Sequence, residues 1–244
     1  MKGILGKPYF NADAYVNAEF LDSIRFKIYK GIAKSKPHVS EYFNSEFEFL
    51  DPIDLQHIIN YVKAPLVPLY PKNNEIMALD DTSACKNIYV NLGDEEKRIF
   101  LKLMGGSQPV STLVLLQKGE WTENSTLFPE VVEWSKQLPF NSIKRMVFYI
   151  AESMNPTVIH ADKHLNDDTF HKSEFLWFKI TPEKTFFIYN EKTKEKINVT
   201  STSCFFNERD YHGADAINHL AVSMKIWGTF SDEFRLTTGL TGEY

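Results

Sequence analysis

The 244-residue chain is 43% hydrophobic and 24% charged, the balance of a folded globular protein, which excludes a disordered or fibrous chain. Its 27 basic and 32 acidic residues leave a formal net charge of −5 without a dense Lys/Arg block, so the electrostatic footprint of a duplex nucleic-acid binder is missing. Nineteen Phe, eleven Tyr and four Trp tilt the reading toward sheet, because aromatic side chains suit a pleated, half-buried surface.

Cys85 and Cys204 are the only cysteines and stand in no metal-ligand spacing, which reads as two reduced thiols in a cytoplasmic protein. The opening MKGILGKPYFNADAY lacks the apolar core of a signal peptide. No stretch approaches the roughly 20 apolar residues of a membrane span.

Taken in chain order, AYVNAEFLDSIRFKIYKGIAK (14–34) carries Phe20, Ile24, Ile28 and Ile32 at helical spacing. DPIDLQHIINYVKAP (51–65) is bracketed by helix punctuation. LGDEEKRIFLKLMGG (92–106) opens acidic and closes on Gly-Gly, as a helix dipole and C-cap prefer. A fourth helix is expected over PEVVEWSKQLP (129–139). The first 130 residues thus read as mixed and partly helical.

From Lys144 the texture changes. Short β-type runs follow at 144–152, 174–180, 184–190, 196–206 and 218–230, divided by turn formers at Asn155-Pro156, Asn166-Asp167-Asp168, Pro182 and Gly213. The pattern predicts a mainly β sandwich or barrel with helices packed outside. With no internal repeat and no linker, one domain is expected.

Residues 158–164 read VIHADKH. On an extended strand His160 and Asp162 point to one face while Ala161 turns away. Two imidazoles and one carboxylate on one face, with the other face open, is how non-haem iron(II) oxygenases hold their metal. His212, in FNERDYHGAD, comes fifty residues after His160, room for about four strands of ~5–6 residues and their turns. His164, His171 and His219 compete for the same role.

The run NHLAVSMKIW (218–227) sharpens the reading. Leu220, Val222, Met224 and Ile226 share one face, and His219, Ala221, Ser223, Lys225 and Trp227 the other. The second face offers a hydroxyl and an ammonium two residues apart, the pair that an anionic co-substrate needs. The alternative is a solvated outer face.

Together these residues resemble the iron(II)- and 2-oxoglutarate-dependent dioxygenases, nearest the aspartyl/asparaginyl and prolyl hydroxylase branches. FYIAESMNPTVIHADKH looks like the strand, turn and first ligand strand, and INVTSTSCFFNERDYHGAD like the segment delivering the distal histidine. The resemblance covers about residues 128–230. It implies a double-stranded β-helix (jelly-roll) core over 128–230, a mixed helical part over 1–127 and a tail over 231–244. It implies that His160, Asp162 and His212 bind Fe(II), and that Lys225, assisted by Ser223, takes the far carboxylate of 2-oxoglutarate. The S-x-K order departs from the common R-x-S. Lys179 in EFLWFKI is a rival for the co-substrate, and Tyr149 and Trp177 are candidate pocket walls.

The implied activity is hydroxylation of an amino-acid side chain, free or peptidyl, using molecular oxygen and releasing succinate and carbon dioxide. Alternatives are another small metabolite or a nucleobase as substrate, or a jelly-roll binding protein without turnover. A zinc hydrolase with the same ligands would need a general base beside the metal, and no HExxH-type partner is present.

Overall fold

A strand and two helices open the chain, and the helices begin later than their periodicity predicts. The computed structural model describes residues 1–35, 37–43, 107–151, 157–162 and 174–240. After β1 (Tyr9–Asn11), residues Asp13–Tyr15 form a 3-10 turn. Helix α1 (Ala18–Ser23) starts at Asn17, whose side-chain oxygen accepts from the Phe20 amide at 3.3 Å, an N-cap. Ile24, at φ −105° and ψ 7°, ends α1 and starts α2 (Arg25–Lys34), so the single helix expected over 14–34 is two. The expected apolar face holds: Ile24, Ile28 and Ile32 are buried and Phe20 packs against the core.

Strands β2 (His38–Phe43), β3 (Ser107–Gln117) and β4 (Glu120–Trp121) follow, giving the first part of the chain more sheet than its sequence suggests. Helix α3 (Pro129–Ser135) has Pro in its first turn, where the missing N–H costs nothing. The helices expected over 51–65 and 92–106 lie outside the described residues.

Eight strands then run from Phe140 to Phe230: β5 (Phe140–Ala151), β6 (Thr157–His160), β7 (Glu174–Lys179), β8 (Phe186–Asn190), β9 (Glu195–Asn198), β10 (Ser203–Phe206), β11 (His212–Ala214) and β12 (Ala221–Phe230). The larger sheet has the order β1-β10-β7-β12-β5-β3-β2, with β4 on β3, and the smaller sheet β6-β11-β8-β9. Within these eight, the first strand neighbours the last, the second the seventh, the third the sixth and the fourth the fifth. That nested pairing is a long hairpin rolled into two sheets, the jelly roll. The mainly β expectation is met, with antiparallel pairing in both sheets.

Two local expectations need correction. The run 196–206 is not one strand: β9 belongs to the smaller sheet and β10 to the larger, so the chain changes sheet between Asn198 and Ser203. Gly213 is not a turn residue but lies inside β11. A Cβ there would meet the Thr157 carbonyl oxygen at 2.8 Å and the Phe187 ring at 2.9 Å. Glycine is needed for the close approach of chains.

By contacts the chain falls into two compact units: Met1–Ser40, Val110–Thr157 and Ala161–Tyr244 form one, and Glu41–Pro109 with Val158–His160 the other. In the first unit the central strands of the larger sheet, β7 and β12, are buried on both faces. One face carries Val222, Met224 and Ile226, with Phe148 and Phe178 of neighbouring strands. It packs under the helices, where Trp134 meets Phe178 at 5.1 Å and Phe128 meets Phe148 at 5.1 Å. The other face looks into the roll, where Trp177 stacks on Phe186 at 4.5 Å and Phe206 lies 5.2 Å from Phe186. The C-terminal helix α4 (Asp232–Thr238) is capped by Ser231 and closes on Gly239 at φ 76°, a left-handed C-terminal position that suits glycine. Among the described residues no helix is long and apolar enough to cross a membrane.

Candidate metal centre

Two strand ends and one backbone hydrogen bond bring the candidate ligands together. β6 ends on His160. Two residues on, the Asp162 amide donates to the Glu208 carbonyl at 3.0 Å, which ties the HxD segment to the turn before β11. His212 is the first residue of β11 and pairs in register with Ile188 of β8. The space left by Gly213 lets this strand lie against Thr157.

His212 is buried, with Nδ1 2.9 Å from the Asp210 carbonyl oxygen. A carbonyl only accepts, so Nδ1 carries a proton, and Nε2 is the ring nitrogen that faces the centre. That Nε2 points to Asp162 Oδ1 at 3.4 Å. His160, Asp162 and His212 each offer a ligand atom, and the three atoms lie within 4.8 Å of one another. Donors ~2.0–2.2 Å from a shared ion are at most about 4.4 Å apart, so a small closing movement of the side chains would bring all three onto one ion. The donor set, two imidazoles and one carboxylate, is consistent with Fe(II). A backbone partner fixing the tautomer of a ligating histidine is the usual support for such a site. His219 lies elsewhere: it is exposed, bonded to Asn218 at 2.8 Å and 3.5 Å from Glu183. His164 and His171 lie outside the described residues.

The second oxygen of Asp162 is already engaged. Lys225 Nζ sits 2.6 Å from Asp162 Oδ2 and 2.8 Å from Glu208 Oε1. Lys225 is 3% exposed and Glu208 7%, and the Trp227 indole N–H donates to Glu208 Oε1 at 3.2 Å. The ammonium also lies 3.9 Å from the Phe175 ring centroid and 4.8 Å from that of Trp227. Burial alone would pull the Lys225 ammonium down, but Asp162 and Glu208 outweigh it and hold its pKa above the ordinary lysine value. Sequence reasoning missed Glu208, which reads as one polar residue in the turn run NERD.

The face of β12 that carries Ser223 and Lys225 is buried, not solvated. Its register places Ser223 between Tyr149 of β5 and Lys179 of β7, and Lys225 between Val147 and Trp177. Tyr149 and Lys179 are half-buried. Ser223 accepts a hydrogen bond from Lys184 Nζ at 3.1 Å. Lys184, just before β8, is 6% exposed, and burial lowers its pKa to about 8. It too escaped sequence reasoning, as an ordinary strand opener in KTFFIYN. Cys204, opposite Trp177 in register, is buried, and burial pushes its thiol pKa up. An unreactive, packed cysteine is the result.

No protein-family model and no curated protein matches the sequence. Likeness to solved structures is faint. A Pseudomonas putida prolyl-4-hydroxylase is 8% identical with a TM-score of 0.33, over 84% of this chain and 97% of that one. A viral collagen prolyl hydroxylase of Paramecium bursaria Chlorella virus-1, in complex with 2-oxoglutarate, is 12% identical with a TM-score of 0.32, over 78% and 94%. A predicted oxalate decarboxylase of Thermotoga maritima is 10% identical with a TM-score of 0.30, over 50% and 82%. At these scores the likenesses decide nothing. The strand order and the ligand geometry carry the weight.

Proposed function

We propose that the chain is a single-domain iron(II)- and 2-oxoglutarate-dependent dioxygenase of the cytoplasm that hydroxylates an amino-acid side chain, free or peptidyl. The observation that carries the reading is the convergence of His160, Asp162 and His212, with the His212 tautomer set by the Asp210 carbonyl. When bound, the metal and the 2-oxo acid supply oxidising power from oxygen, yielding succinate and carbon dioxide with the hydroxylated product.

The chain's own residues do the rest. His160, Asp162 and His212 hold the metal, and the Asp162 carboxylate offsets part of its charge. The inner face of β12, with Ser223 and Lys225 and the flanking Tyr149 and Lys179, offers hydrogen-bond donors to the anionic co-substrate. Phe175, Phe206 and Trp227, grouped around the Lys225 ammonium, keep water from this side of the centre, which strengthens every charge interaction there.

Succinate release, measured with Fe(II), 2-oxoglutarate and a panel of amino acids and peptides that includes peptidyl proline, tests the proposal. Iron-dependent turnover stimulated by one class of panel members is expected. Turnover that responds only to nucleobases or other metabolites would move the substrate class, and no iron-dependent consumption of 2-oxoglutarate under any condition would sink the reading.

A further inference from the structure

The turn that delivers His212 is tied down from Asn207 to Tyr211, and one of its ties reaches residues 2 and 3. The Asn207 side-chain oxygen accepts from the Arg209 amide at 3.0 Å, and the Asn207 carbonyl from the Asp210 amide at 2.8 Å. The Glu208 carbonyl takes the Asp162 amide, and the Tyr211 carbonyl takes the Tyr189 amide of β8 at 2.7 Å. Asp210 is 3% exposed. Its carbonyl oxygen faces His212 Nδ1 at 2.9 Å. Its carboxylate accepts from two successive backbone amides, that of Lys2 and, at 2.7 Å, that of Gly3.

Those two amides sit on a fixed segment. Ile4 is buried in the core. Ile4 and Lys7 exchange backbone hydrogen bonds of 2.7 and 2.9 Å around Leu5 at φ 49° and Gly6 at φ 73°, a type I′ turn. β1 follows and pairs with β10, the strand that runs into the His212 turn. A buried carboxylate needs its lone pairs filled, and N–H donors to a charged oxygen are among the stronger hydrogen bonds. The Asp210 amide and carboxylate are anchored on one side and the Tyr211 carbonyl on the other. The Asp210 carbonyl between them is thereby held in one direction, toward His212 Nδ1.

We propose that Asp210 is a positioning residue for His212, and that residues 2–4 act through it as part of the support of the metal centre. The assignment rests on the ligand role of His212 in the reading above. A fixed acceptor at Nδ1 sets the rotation of the ring and so aims Nε2 at the centre.

The test uses the full chain and Mn(II) alone, with affinity read by calorimetry well below the melting temperature of every variant. Asp210→Asn keeps the size of the side chain but turns one acceptor into a donor, which then meets an amide donor. Gly3→Ala acts from outside the turn: Gly3 is at φ 71°, and a Cβ there would overlap the Lys7 carbonyl oxygen, so the segment must shift off Asp210. Each variant is expected to weaken Mn(II) by about 10-fold or more, the range of outer-shell changes. The double variant should be no weaker than the worse single one, because both break the same link. A second readout is one that a merely structural role would not move. In the Zn(II)-loaded chain with 15N-labelled histidine, the His212 Nδ1–H should exchange slowly in wild type and faster in both variants. Wild-type Mn(II) affinity and slow Nδ1–H exchange in the variants, whatever their melting temperatures, would overturn the proposal alone. An effect of Asp210→Asn without one of Gly3→Ala would overturn the part of residues 2–4. Gly3→Ala leaves every residue of the turn unchanged, and it decides the matter alone should Asp210→Asn fail to fold. Failure of wild type to bind Mn(II) would overturn the metal-centre reading and the proposal with it.

Discussion

Asp162 divides its two oxygens between an imidazole and a cation: Oδ1 lies 3.4 Å from His212 Nε2, and Oδ2 lies 2.6 Å from Lys225 Nζ. One oxygen is thus turned toward the proposed metal position while the other is anchored by a buried charge. Removing the carboxylate should abolish the centre without unfolding the chain, because Lys225 keeps Glu208 as a partner and the Asp162 side chain is 29% exposed. Asp162→Ala is expected to weaken Mn(II) binding by more than the roughly 10–100-fold typical of outer-shell changes, with little change in melting temperature. A wild-type Mn(II) titration for this variant would remove Asp162 from the ligand set.

Deleting the cation instead should act on stability first. Lys225→Met leaves Asp162 and Glu208 without the ammonium between them, and breaking a buried ion pair from one side costs about 3–5 kcal/mol. Metal binds the folded state and supplies positive charge at the same carboxylate, so saturating Mn(II) should recover part of the loss. Urea titrations with and without Mn(II) check this. Equal destabilisation in both would mean that Lys225 does not communicate with the metal position.

Much of this centre was legible because it follows a local rule. The H-x-D spacing flagged His160 and Asp162, although they do not share a strand face as expected: β6 ends at His160, and Asp162 sits in the bend beyond it, held by the Glu208 carbonyl; alternation in 218–227 placed Ser223 and Lys225 on one face of β12. What was not legible depends on which strands become neighbours. Lys184 and Ser223 are 39 residues apart in sequence, and Glu208 gains its meaning only when the turn before β11 lies over Lys225. The split of 196–206 into β9 and β10 was hidden because both halves are β-forming, and the change of sheet is a tertiary event. Gly213 looked like a turn signal for the same reason: its function is to make room for Thr157 and Phe187, neither of which is near in sequence.

That close approach gives a steric prediction. A methyl group at position 213 would meet the Thr157 carbonyl oxygen at 2.8 Å and the Phe187 ring at 2.9 Å, and Phe187 is itself buried. Overpacking of this kind costs typically about 1–3 kcal/mol. Gly213→Ala should therefore lower stability by that order, and also weaken Mn(II) binding, since His212 is the preceding residue of the same short strand. Chemical denaturation and Mn(II) titration of the variant report the two effects. Unchanged values in both would show that β6 and β11 can part without consequence.

The buried Lys184 predicts how stability depends on pH. Burial lowers its pKa from the ordinary 10.5 to about 8, so protonation is disfavoured in the folded state. Below about pH 8 the ammonium is charged in both states and its full burial cost applies. Between about 8 and 10.5 the unfolded chain holds the proton and the folded chain does not, so stability rises with pH through this window. The whole effect amounts to about 3 kcal/mol. Lys184→Met lacks it, and groups common to both proteins cancel in the comparison. The variant should be more stable than wild type at pH 7, with the gap shrinking by pH 10, as read from paired urea titrations. A gap independent of pH would show that the Lys184 ammonium is not desolvated as its burial against Ser223 requires.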